Sequence, residues 1–188
     1  MGKLYTELDG PLIEWLDAQP MFFVGTAPAE GGHVNVSPKG LDGTFRVIDP
    51  TRVAYLDLIG SGAETIAHVR DNGRITLLFC AFAGPPRIVR LYGSARVVEP
   101  GDADYDALIA GFADFRAPRS VIIVDLDRIA DSCGFGVPTF DYVGQRTRLV
   151  AWSHHREDDQ LREYQLEKNR VSIDGLPALR AETLERAE

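Results

Sequence analysis

Asp57-Leu58-Ile59-Gly60-Ser61-Gly62-Ala63-Glu64-Thr65-Ile66-Ala67-His68-Val69 joins three kinds of local structure in one short stretch. The apolar run from Val53 to Leu58 reads as a strand, Gly60-Ser61-Gly62 as a turn, and Glu64 onward as a short helix. A small-residue turn that opens into a helix aims backbone N–H groups and the positive end of the helix dipole at one spot, which suits an anion. Asn72-Gly73 then supplies residues that tolerate a left-handed cap, and Arg74 begins a new apolar run. Strand, turn, short helix and strand form a cradle suited to a phosphorylated ligand.

The rest of the chain bounds the class. Its 188 residues, 45% of them hydrophobic, suffice for one globular domain, which at this size buries roughly 70% of its unfolded surface. Acidic residues number 28 against 20 basic, a net charge of −8. Such a balance argues against nucleic acid or an anionic membrane as partner, because both require clustered Lys and Arg. No stretch approaches the ~20 apolar residues of a membrane-spanning helix. Met1-Gly2-Lys3-Leu4-Tyr5-Thr6-Glu7 lacks the apolar core of a secretory signal. Only Cys80 and Cys133 are present, and Cys80 lies inside the apolar run Thr76–Phe82. A disulfide framework is not expected, and a reducing cytoplasm fits.

Strands dominate the first two thirds. Leu8 to Ala18 has the spacing of an amphipathic helix stopped by Pro20, with Leu12, Trp15 and Leu16 inward. Met21 to Thr26 and His33 to Ser37 read as a hairpin turning at Glu30-Gly31-Gly32. Strands are then expected at Thr44 to Ile48, Arg52 to Leu58, Arg74 to Phe82, Arg87 to Val98 and Ser120 to Leu126. Helices are expected at Asp102 to Phe112 and Arg156 to Asn169. Many short strands and few helices predict a mainly β protein, a closed barrel with peripheral helices rather than an alternating βαβ sheet. No repeat or linker divides the chain, so residues 1–188 form a single domain with a barrel core at about 21–127. Residues 128–188 then pack on the barrel or on a dimer partner.

Four segments occur in a telling order: Asn35-Val36-Ser37-Pro38-Lys39-Gly40, the Gly60–Val69 turn and helix, Arg74-Ile75-Thr76-Leu77-Leu78-Phe79, and Arg90-Leu91-Tyr92-Gly93-Ser94-Ala95. Together they resemble the pyridoxamine 5′-phosphate oxidase-related family of FMN-binding split β-barrels, over roughly Met21 to Asp127. The tail, with Cys133-Gly134-Phe135-Gly136-Val137-Pro138, Lys168-Asn169 and Ser172-Ile173-Asp174-Gly175-Leu176-Pro177, resembles a branch other than the biosynthetic oxidase itself. The resemblance implies a six-stranded antiparallel split barrel and a homodimer with FMN at the subunit interface.

It also implies site residues. Ser61, Gly62, Glu64 and Thr65 fall on the phosphate-binding segment, where the oxidase has an Arg-Lys pair in place of Glu64-Thr65. A carboxylate repels a phosphate, and Ser61-x-x-Glu64 reads equally as a capping box. Positive charge must then come from elsewhere, and arginines are the candidates. Alternation in Arg87 to Val98 puts Arg90 and Arg96 on the face away from the core. They are either solvated or, across a dimer, within reach of a phosphate; Arg46 and Arg87 are similarly open. Val36, Ser37, Pro38 and Lys39 would lie along the flavin ring, with Lys39 at its electron-rich pyrimidine edge; the plainer reading of Ser37-Pro38-Lys39-Gly40 is a turn with an exposed lysine. Cys133 and Phe135 sit in a glycine-rich loop that is either ordinary or lines the substrate side of the flavin. Trp152 could stack on a flavin or serve an interface core.

Other chemistries find no support in the sequence. His33, His68, His154 and His155 lack metal-ligand spacing, so no metal is expected. There is no nucleophile elbow and no phosphate loop of the Walker type. Asp125 and Asp127 read as turn or cap residues after a strand. Two functions stay open: an FMN-dependent oxidoreductase transferring two electrons at flavin N5 to or from a small-molecule substrate, or a module that stores or senses flavin, the deazaflavin F420 or haem. A barrel that has lost its cofactor and serves as an interaction domain is a third.

Overall fold

The computed structural model describes residues 2–185. Its strands are β1 (Leu4–Tyr5), β2 (Met21–Thr26), β3 (Asn35–Gly40), β4 (Phe45–Asp49), β5 (Arg52–Leu58), β6 (Arg74–Cys80), β7 (Ile88–Val98) and β8 (Pro118–Ser132). Six helices accompany them: α1 (Gly10–Asp17), α2 (Glu64–Asn72), α3 (Tyr105–Ile109), α4 (Arg148–His154), α5 (Asp158–Lys168) and α6 (Ala181–Glu185). The strands make one antiparallel sheet in the order β3-β2-β6-β7-β8-β5-β4, with β1 added beside β8. The sheet curls into a half-barrel, and its edge strands β3 and β4 are not paired with each other. The split barrel that the resemblance implies is the one observed, with eight strands among the described residues in place of six, and the closed barrel read from the strand pattern alone does not form.

Alternation along the strands builds the core. Phe22, Phe45, Tyr55 and Phe79 meet inside the barrel, with ring centroids 5.1–5.6 Å apart. α1 covers one end. Asp9 caps it by accepting the Leu12 N–H at 2.9 Å, and Leu12 and Leu16 are buried. Each such leucine contributes about 1.5–3 kcal/mol of burial. A second, smaller core of Ala54, Leu56, Val98, Val121 and Ile123 lies on the other face, under the loop around α3.

β8 runs fifteen residues, twice the length expected, because its second half pairs with β7 and then with β1. Asp125 and Asp127 therefore lie within a strand, where Asp125 bonds Arg52 Nε at 2.5 Å. A bulge between Tyr92 and Gly93 brings the Asp125 carbonyl so close that any Cβ at position 93 would collide with it. β3 also runs further than expected. Ser37-Pro38-Lys39-Gly40 is strand rather than turn, since on an edge the N–H that Pro38 lacks need not be donated. The helix expected at Asp102 to Phe112 is helical only at Tyr105–Ile109, because Asp102 instead accepts the Glu99 N–H in a preceding turn. α4, which carries Trp152, has no counterpart among the expected elements.

Candidate functional site

The seam is closed at one level by a buried ion triad. Asp57, at the end of β5, is fully buried. Its Oδ1 accepts Lys39 Nζ at 2.7 Å from the edge strand β3, and its Oδ2 accepts Arg119 Nε at 2.6 Å from β8. Arg119 is 5% exposed and the Lys39 side chain 21%. Burial by itself would raise the Asp57 pKa; Arg119, then Lys39, overcome it and hold the carboxyl at about 2. Asp57 is therefore an anion at neutral pH whose two oxygens are both engaged, so it orients cations rather than moving protons. Beside it, Tyr55 is fully buried, its hydroxyl near Thr65 but in no well-formed hydrogen bond among the described residues, and burial, reinforced by Asp57, pushes its pKa well above 10.

The turn Gly60-Ser61-Gly62 follows directly, and α2 begins at Glu64. Gly73, in the left-handed conformation (φ 74°), ends α2 where expected. The capping box does not form. Ala63 is the N-cap, with no side-chain hydrogen bond. Glu64 instead folds its carboxylate back over Gly62 and accepts the Ile173 N–H at 3.3 Å from the C-terminal segment. A second tether reaches the same turn: Asn169, fully buried, donates Nδ2–H to the Gly60 carbonyl at 2.8 Å. Thr65, nearly buried, accepts Asn35 Nδ2–H at 3.1 Å, which couples α2 to the start of β3.

Between these parts runs a groove of about 830 Å³. Its walls are Ser37, Pro38 and Lys39 on β3, Leu56 and Leu58 on β5, the Gly60–Gly62 turn with Glu64 and Thr65, and Arg119. A strap contributes Tyr142, Gln145, Arg146, Arg148 and Leu149 to the remaining side. Gln145 fastens the strap: Oε1 accepts the Leu41 N–H at 3.2 Å, and Nε2 donates to Asp42 Oδ1 at 2.8 Å. Four cations, Lys39, Arg119, Arg146 and Arg148, face two carboxylates, Asp57 and Glu64. The groove is net positive on a chain of charge −8, which favours an anionic occupant.

Seven residues expected from the sequence thus converge: Ser37, Pro38, Lys39, Ser61, Gly62, Glu64 and Thr65. Others lie apart. Val36 is not among the groove's lining residues and is 65% exposed. Arg90 bonds Ser132 Oγ at 3.1 Å on the outer face of β7. Trp152 packs edge-on against Tyr164 at 5.1 Å, with the Arg156 guanidinium 4.0 Å over its ring. Cys133 lines a different groove, with Trp15, Phe82, Arg87 and Phe140, and Phe135 is 81% exposed. Arg87 there bonds Tyr5 and Asp131. Among the described residues no group of three His, Cys, Asp or Glu is placed to hold a metal ion.

Sequence reasoning overlooked Asp57 and Arg119. A carboxylate in the apolar run Val53–Leu58 was the available signal, since a buried anion needs a cation. Nothing local marked Arg119 or the strap arginines.

A half-barrel split along one seam, with a cation-lined groove at the split and a turn-helix unit at its end, defines the split-barrel class to which the pyridoxamine 5′-phosphate oxidases belong. The family model for pyridoxamine 5′-phosphate oxidase matches residues 10–133, and the chain belongs to that family. The pyridoxamine 5′-phosphate oxidase family protein ustO of Aspergillus flavus is 40% identical over 204 residues, covering all of this chain and 82% of ustO. Among solved structures, HupZ of Group A Streptococcus superposes with a TM-score of 0.52 at 24% identity, over 64% of this chain and 90% of that one. A Lactobacillus delbrueckii protein described as a candidate pyridoxamine 5′-phosphate oxidase gives 0.53 at 18%, over 68% and 98%. These two likenesses bear on the fold. No helix is long and apolar enough to cross a membrane, among the described residues.

Proposed function

We propose that this protein is an FMN-dependent oxidoreductase acting on a small-molecule substrate, as a homodimer in the cytoplasm. The observation that carries the reading is the seam groove, net positive on an acidic protein and walled by the two segments that resemble flavin-binding ones. The residues suit such a group: apolar Leu56, Leu58 and Leu149 for a planar ring, Thr65 and the turn amides for a phosphate, and cations for its charge. When bound, FMN supplies two-electron transfer at its N5.

The chain's part is binding and electrostatics. Asp57, itself oriented by Arg119, holds the Lys39 ammonium at one point on the β3 wall, where it would stabilise negative charge on a neighbouring ring. Asp57, held at about 2 with both oxygens bonded, does not act as a base. The proton balance therefore falls to the cofactor and solvent. A homodimer gains support from apolar side chains left outside: Val34, Val36, Phe135 and Val143 are 65–99% exposed.

A second reading, a flavin, F420 or haem carrier without turnover, is favoured by one observation: Glu64 places a carboxylate at the turn where a phosphate would approach. A visible spectrum, with heat release and mass identification of any chromophore, tests the first reading. FMN near one per subunit and reducible by NAD(P)H supports it. Bound flavin that no nicotinamide or substrate reduces supports the carrier, and a colourless protein that refuses added FMN overturns both flavin readings.

A further inference from the structure

Every cation on the groove's rigid wall is already committed. Lys39 and Arg119 both bond Asp57, and the carboxylate at the turn is folded over Gly62. The strap is different. Arg146 and Arg148 line the groove, are exposed, and make no ion pair or side-chain hydrogen bond among the described residues. The strap that carries them is nevertheless anchored, because Gln145 between Gly144 and Arg146 is bonded at both ends of its amide to Leu41 and Asp42 on the β3–β4 connection. Tyr142 and Leu149, on either side, line the same groove.

We propose that Arg146 and Arg148 are the phosphate-recognition residues of this groove, in place of the basic residues that the turn lacks at Glu64-Thr65. Two guanidiniums without carboxylate partners are matched to the oxygens of a phosphate monoester dianion, which they can bind bidentately. The side chain of Glu64 repels that dianion at the turn, and the strap arginines of the same groove answer it. Specificity for the phosphorylated form of the ligand then resides in a segment outside the barrel core, and the turn contributes only amides and Thr65. The inference rests on the flavin reading for its cofactor arm, and the phosphate itself has two possible sources, the cofactor or a phosphorylated substrate.

The test is the full chain with Arg146→Gln and Arg148→Gln together, beside the wild type and an Arg→Lys pair, all with matched thermal midpoints. Flavin-free protein is titrated with FMN and with riboflavin; flavin-loaded protein, or flavin-free protein if none binds, is titrated with pyridoxal 5′-phosphate and with pyridoxal. The expected result is that the glutamine pair loses at least tenfold of the preference for the phosphorylated partner in one arm, with the unphosphorylated affinity unchanged and the lysine pair intermediate. Loss in the first arm assigns the cofactor's phosphate, and loss in the second the substrate's. Wild type that refuses flavin but binds pyridoxal 5′-phosphate through these arginines ends the flavin reading and keeps this one. Wild type that prefers phosphorylated ligands equally well without the arginines overturns it alone.

Discussion

Asp57 and Glu99 are both fully buried carboxylates, each held by two cations, and the surroundings give them opposite duties. Asp57, on β5, ties together three strands of one barrel, β3, β5 and β8, and one of its cations is almost as buried as itself. Glu99 accepts from Arg70 on α2, from the Arg180 backbone N–H at 3.2 Å and from Thr183 Oγ1, so it fastens the C-terminal segment to the barrel. Its arginines are 29% and 37% exposed. Where the cations are buried, the carboxylate has no substitute; where they reach water, solvent replaces much of what it supplies.

The widest separation between the two should appear on neutralising each. Asp57→Asn leaves Arg119 buried without a counter-charge, and urea denaturation should show a loss of about 3–5 kcal/mol. A loss below 1 kcal/mol would mean that Arg119 escapes to solvent. Acid addresses the same carboxylate without mutation. Its folded pKa of about 2 lies below the ordinary 3.8, so its stabilisation, about 2 kcal/mol by linkage, is complete above pH ~4 and fades as pH falls toward 2. Stability measured from pH 5 to 2 should fall more steeply in the wild type than in Asp57→Asn. Parallel curves would remove Asp57 as the source.

Glu99→Gln should cost less, roughly 1–3 kcal/mol, and should differ in kind. Limited proteolysis should cut the C-terminal segment sooner while ligand binding in the groove persists; equal loss of both would erase the contrast. Lys39→Met keeps the Asp57–Arg119 pair, so its stability cost should be about 1 kcal/mol. In the FMN-bound protein it should make the flavin harder to reduce, read as a more negative midpoint potential. The smallest effect is expected at Tyr55→Phe. Its hydroxyl makes no well-formed hydrogen bond among the described residues, so thermal stability should change by less than about 0.5 kcal/mol or improve.

The barrel was legible because period-2 alternation and turn residues are local signals. Met21–Thr26 and Arg52–Leu58 have the expected bounds, and Gly73 caps α2 as its sequence suggests. Lengths were less legible, since β8 extends as far as partners exist to pair with it. The capping-box pattern at Ser61-x-x-Glu64 failed to form because Ile173, over a hundred residues away, offers Glu64 a competing N–H. The groove's β3 and turn walls could be placed by resemblance. Arg119 and the strap arginines could not, for their roles depend on which distant carboxylates are already taken.

The two tethers on the Gly60–Gly62 turn come from Asn169 and Ile173, each 109 residues beyond the group it holds. A ribosome delivers those residues long after the turn and the first seven strands have emerged. At bacterial or eukaryotic elongation rates of about 5–20 residues per second, the hundred-odd intervening positions take several seconds or more. Through that interval the barrel strands can pair, but the turn lacks its final anchors. A nascent chain that stalls before position 169 therefore holds every wall of the groove with a turn that lacks both of its tethers.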